Sequence, residues 1–127
     1  MIVDDEEFCL MGLKVVLEST GFDVTDKLDM CMSASEAIEK VHQAHKLDIT
    51  HSLIITDIQM PEMDGIELTK HLRSLYRDEY SVCPELQPKI IGVSGHVQSY
   101  FIKQAIDAGM DQFQSKPLYS TKLRQIL

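Results

Sequence analysis

The stretch LIITDIQMPEMDG, residues 53–65, decides how this chain folds. Leu53 to Thr56 is a short apolar run rich in β-branched residues, which predicts a buried strand. Asp57 follows at once, and Met60-Pro61 and Asp64-Gly65 then stop regular structure. From Gly65 to Leu75, Ile66, Leu68, Thr69 and Leu72 recur at helical spacing. A buried strand that ends on a carboxylate, followed by a loop and a helix, is half of a βαβ unit.

Working outward, the same unit recurs. Met1-Ile2-Val3 reads as a short buried strand running into the acidic loop Asp4-Asp5-Glu6-Glu7. Phe8, Met11, Leu13, Val15, Val16 and Leu17 fit one broad helical face, with Gly21 as the stop. Phe22 and Val24 suggest a short second strand, and residues 25–33 then form a long connection. A second helix opens at Ser35-Glu36-Ala37-Ile38, with Ala34, Ile38 and Val41 on one side. After the 53–56 strand and its helix, the polar run 76–88, with Pro84 and Pro88, reads as a loop. Lys89 to Val93 is a fourth strand, Ser99 to Ala108 a helix ending at Gly109, Gln112 to Ser115 a weak fifth strand, and residues 119–127 a last helix.

Strands alternating with helices predict an α/β fold, a doubly wound five-stranded parallel sheet covered by helices on both faces. Its flavodoxin-like strand order would be 2-1-3-4-5. The 127 residues suffice for one domain, spanning 1–127, and not two. With 44% hydrophobic and 25% charged residues the chain builds a packed core and is not disordered. A net charge of −8 argues against a sequence-independent grip on nucleic acid or an anionic membrane. No apolar stretch is long enough to span a bilayer. Cys9, Cys31 and Cys83 lack CxxC spacing and read as free thiols of a reducing cytosol.

In a doubly wound sheet the site lies outside the carboxyl ends of the strands. The order 2-1-3-4-5 makes strands one and three neighbours, so Asp4, Asp5 and Asp57 meet at one edge. Three like charges there raise a pKa or call for a cation, and hard oxygen ligands suit Mg²⁺. Ser94 follows strand four and Lys116 follows strand five, so a hydroxyl and an ammonium arrive beside them. That set can take a phosphoryl group, with Asp57 as nucleophile. Singly, each residue has an ordinary reading: a loop aspartate, helix-terminal acids, a cap, a solvated lysine. Together, at the ends of strands one, three, four and five, they favour chemistry.

The segments IVDDEE (2–7), DIQMPEMDG (57–65), IGVSG (91–95) and AGMDQFQSKP (108–117) resemble a response-regulator receiver domain of two-component phosphorelays, over nearly the whole chain. The resemblance implies Asp57 as phosphoacceptor. It implies Asp5 as a direct Mg²⁺ ligand, Asp4 acting mainly through the ion's water shell, and the Gln59 backbone carbonyl as a further ligand. Ser94 matches the switch hydroxyl, Lys116 the phosphate-pairing lysine, and Phe113 the aromatic that turns inward on activation. Gln59 and His96 stand where the family tunes hydrolysis, and the bond before Pro117 is cis in many relatives. The implied partner is a histidine kinase or histidine phosphotransfer domain. The implied catalysis is the domain's own phosphorylation and dephosphorylation, with neither nucleic-acid binding nor membrane insertion.

A start inside strand one and a short last helix read as a module cut from a longer chain, such as a hybrid histidine kinase. The domain would be cytoplasmic even where its parent is membrane-anchored. Two rivals remain. A haloacid-dehalogenase-type enzyme also phosphorylates an aspartate, but usually carries a second one two residues on, where this chain has Gln59. A pseudo-receiver would only bind. Segments 25–33 and 76–88 depart from the family pattern and read as tolerated surface loops. Met60 and Met63 are expected to pack beneath the 57–65 loop, and His42 and His45 to be solvated.

Overall fold

A computed structural model describes residues 1–95 and 98–127. Five parallel strands form one sheet in the order β2-β1-β3-β4-β5. They are β1 (Ile2–Val3), β2 (Met30–Cys31), β3 (Leu53–Asp57), β4 (Lys89–Ser94) and β5 (Gln112–Ser115). The helices are α1 (Glu7–Ser19), α2 (Ala34–Lys46), α3 (Gly65–Ser74), α4 (Ser99–Asp107) and α5 (Ser120–Ile126).

The central strands are buried on both faces, so their residues are apolar without alternation. Ile54, Ile55, Ile90 and Ile91 are at most 1% exposed. One core cluster joins Ile54 and Ile90 to Ala37 and Val41 of α2, Leu68 and Leu72 of α3, and Ala105 of α4. The other joins Ile2, Ile55 and Ile91 to Leu10 and Leu17 of α1 and Leu123 and Ile126 of α5. The sheet thus has α2, α3 and α4 on one face and α1 and α5 on the other. The starts of α2 and α3 are capped: Ser33 Oγ accepts from Glu36 N–H, and Asp64 Oδ1 accepts from Glu67 N–H.

Four expectations change. The second strand is Met30–Cys31, not Phe22–Val24. Ile2 N–H donates to Asp29 O and Asp4 N–H to Cys31 O, so β1 is satisfied by the later segment. The long connection therefore precedes β2, and Val24 reaches the core from it. On α1 the inward face is Leu10, Leu13 and Leu17, while Phe8 (88%), Met11 (52%) and Val15 (61%) are exposed. Both triplets have the spacing i, i+3, i+7, so periodicity cannot choose between them.

Residues 76–88 are not a plain loop. Helix α3 continues into a π-helical turn, Leu75–Glu79, and Pro84–Leu86 is a 3₁₀ turn. Tyr76 is buried, and Tyr80 stacks on His45 with ring centroids 3.5 Å apart and hydrogen-bonds His42. The two histidines of α2 are therefore not merely solvated; they hold this segment. At its other end Arg73 donates to Gln87 Oε1, Pro88 O, Gly109 O and Asp111 Oδ2 at 2.9–3.1 Å.

Candidate functional site

The sheet register assembles the site. β1 ends at Val3, paired with Thr56, so Asp4 and Asp5 emerge next to Asp57. Asp57 pairs with Val93, which puts Ser94 one step further along the adjacent edge, and Ser94 pairs with Ser115, just before Lys116. Lys116 N–H donates to Ser94 O at 2.9 Å, tying the two ends together. Ser94 is 2% exposed. The Lys116–Pro117 peptide is cis.

Carboxylate oxygens of Asp4, Asp5 and Asp57 lie within 4.8 Å of one another. Lys116 Nζ stands 3.1 Å from Asp4 Oδ2 and 3.3 Å from Asp57 Oδ1. Asp4 Oδ1 accepts from Glu6 N–H at 3.0 Å, so both oxygens of Asp4 are engaged. Asp57 is 8% exposed, and burial followed by the charge of Asp4 pushes its pKa above the ordinary carboxylate range, against the pull of Lys116. Burial draws the Lys116 pKa down, but its hydrogen bond to Asp4 and the charges of Asp57 and Asp4 outweigh that and leave it raised.

The loop from Asp57 to Gly65 is shaped from beneath. Met60 is buried, and Met63 is half-buried against the same core cluster, as expected. Gly65 is required by close approach: a Cβ there would sit 2.2 Å from the Asp57 carbonyl oxygen. Gln59, two residues after Asp57, is exposed. Phe113 is half-buried, packed on the cluster beneath α4. His96 lies outside the described residues.

Sequence reasoning missed the wall beside these acids. A cleft of about 300 Å³ is lined by Asp4, Asp57 and Lys116 together with Phe8, Cys9, Leu13 and Leu118. The only signal for it was the surplus of apolar residues on α1. Burial and then the charge of Asp4 push the Cys9 thiol upward, so it is a poor nucleophile. No helix among the described residues is long and apolar enough to cross a membrane.

The whole chain, residues 1–127, matches the family described as the response regulator receiver domain. It is 31% identical over 127 residues to the chemotaxis protein CheY of Bacillus subtilis, covering all of this chain and 92% of that protein. It is 29% identical over 127 residues to hybrid signal transduction histidine kinase L of Dictyostelium discoideum, of which it spans only 7%. A chain in the CheX–CheY–BeF3–Mg²⁺ complex from Borrelia burgdorferi superposes with a TM-score of 0.75 at 27% identity, covering 98% of this chain and 81% of that one. With the 2-1-3-4-5 sheet and three aspartates and a lysine gathered at its carboxyl edge, the chain belongs to the receiver domains of two-component response regulators.

Proposed function

We propose that this domain is a phosphoacceptor switch, taking a phosphoryl group from a phosphohistidine onto Asp57. The observation that carries the reading is Lys116 Nζ held between Asp4 and Asp57 beside a third carboxylate. In the transfer a phosphorus–nitrogen bond to the donor histidine breaks and a phosphorus–oxygen bond to Asp57 forms. Asp57 ends a strand buried on both faces, so its carboxylate is held for in-line attack. Lys116 would pair with a phosphoryl oxygen, and the Ser94 hydroxyl would move toward the product. Phe113 would then fill the space Ser94 leaves, changing the surface of α4, β5 and α5. Gln59 and His96 are proposed to set the path of attacking water.

The oxygen donors fit Mg²⁺: three carboxylates converge within 4.8 Å, and the Gln59 carbonyl belongs to the same loop. Asp5 and Asp57 would hold the ion directly, and Asp4, already engaged by Lys116 and Glu6, through its water shell. When bound, the ion neutralises charge on the phosphoryl oxygens. The Borrelia burgdorferi relative in complex with BeF3 and Mg²⁺ supports this assignment by similarity. The partner is proposed to be a histidine kinase or phosphotransfer domain, since relatives include hybrid signal transduction histidine kinases. Phe8, Met11 and Val15, exposed along α1, offer that partner an apolar face.

The test is intact mass after incubation with acetyl phosphate, with and without Mg²⁺, beside Asp57→Asn. One added phosphoryl group, dependent on Mg²⁺ and lost in the variant, is expected. No addition from acetyl phosphate or from a phosphohistidine donor, with Mg²⁺ bound, would leave the pseudo-receiver reading.

A further inference from the structure

Asp57 stands at a break in the sheet. The pairing of β1 with β3 ends at Val3 and Thr56, one residue short of it. Ile55 N–H donates to Met1 O at 3.0 Å, so Ile55 faces β1 with its peptide groups. Asp57, two residues on, turns its carbonyl the same way, past the last residue of β1. The donor it receives is a side chain: Thr56 Oγ1 lies 3.0 Å from Asp57 O. Thr56 is 1% exposed, so no bulk water competes for this hydroxyl.

The neighbouring peptide groups are pinned as well. Ile58 N–H donates to Val93 O at 3.1 Å, and Ile58 O accepts from Gly65 N–H at 2.8 Å. Gly65 packs directly on the Asp57 carbonyl, where no side chain fits. We propose that Thr56 is a positioning residue for phosphotransfer: its buried hydroxyl replaces the missing ladder bond and fixes the peptide plane from which the Asp57 carboxylate projects. It touches neither phosphate nor metal and acts through the backbone of the nucleophile. The inference rests on the phosphoacceptor reading of Asp57 given above.

A buried hydroxyl can also matter for stability alone, and the same fold supplies a control. Thr69 is 0% exposed and donates to Gly65 O at 2.8 Å inside α3, so its hydroxyl is equally buried but bonds a neighbour of Asp57 and not Asp57 itself. Thr56→Val, Thr56→Ser, Thr56→Cys and Thr69→Val are compared with the wild type. The measurements are phosphoryl incorporation against acetyl phosphate concentration, and Mg²⁺ affinity from melting shifts. In Thr56→Val the maximal rate should fall about three- to tenfold, the range one hydrogen bond supplies. The half-saturating acetyl phosphate and the Mg²⁺ affinity should stay within about twofold, because neither contact is removed. Thr56→Ser should restore the rate, and Thr69→Val should keep it. Should Thr56→Val not fold, Thr56→Cys, of similar size and a weaker donor, is read by the same criterion. Wild-type rates in Thr56→Val, or an equal slowing in Thr69→Val, would overturn the inference. A wild type that takes up no phosphoryl group from acetyl phosphate or from a phosphohistidine donor overturns the underlying reading instead.

Discussion

Asp57 carries a conflict that can be measured. Burial, followed by the charge of Asp4, holds its pKa above the ordinary carboxylate value of 3.8, so the folded chain binds that proton more tightly than the unfolded one. Stability therefore falls as pH rises from 3.8 through the raised value, and is level above it. Without metal, Asp57→Asn should be more stable than the wild type at pH 7, and the two should converge below about pH 4. Urea melts at both pH values check this, and an Asn variant less stable at pH 7 would contradict it. A second residue makes an independent case. The Tyr76 hydroxyl is buried without a hydrogen-bond partner among the described residues, and burial raises its pKa. Tyr76→Phe removes an unsatisfied donor, so it should be neutral or stabilising by about 1 kcal/mol in the same assay. Neither feature is written in the residue types, because each depends on what the fold leaves around one atom.

At the scale of elements, the segment after α3 is built rather than tolerated. Tyr80 binds it to α2, and Arg73 binds its far end to Gly109 and Asp111 before β5. Asp111 Oδ2 also accepts from Ile90 N–H at 2.8 Å, so the same carboxylate anchors β4. Arg73→Ala breaks several charge-assisted hydrogen bonds at once and should cost about 2–4 kcal/mol, read as a lower urea midpoint with an unchanged slope. A loss under about 0.5 kcal/mol would mean a solvated surface contact. The sequence reading reached the element order correctly where the signal was strong: Ile54 to Asp57 and Ile90 to Ser94 are buried, and both strands carry runs of apolar residues. It misplaced β2, whose two residues carry too little pattern to outweigh Phe22 and Val24. It put Phe8, Met11 and Val15 on the inward face of α1 along with Leu13 and Leu17, because two apolar triplets share one period. The π-helical turn went unread because Tyr76, Arg77 and Asp78 look polar until Tyr76 is seen to be buried.

For the whole molecule, ligand and fold are linked. A cation held by Asp5 and Asp57 would bind only the native arrangement, since the unfolded chain does not bring residues 4, 5 and 57 together. At tenfold excess over Kd, Mg²⁺ should stabilise the domain by about 1.4 kcal/mol. Asp5→Asn should lose most of that gain in thermal melts, and an undiminished gain would refute the placement of the ion. What the sequence determined by itself was the alternation of strands and helices, and with it the edge to which Asp4, Asp5, Asp57, Ser94 and Lys116 come. Strand periodicity and the handedness of crossovers are local rules, so they survive without coordinates. The tertiary structure alone decided that Lys116 bridges Asp4 as well as Asp57, that Thr56 stands in for the missing end of β1, and which face of α1 looks outward. Those outcomes turn on register and on single side-chain distances, which depend on how distant segments pack and not on the order of residues along the chain.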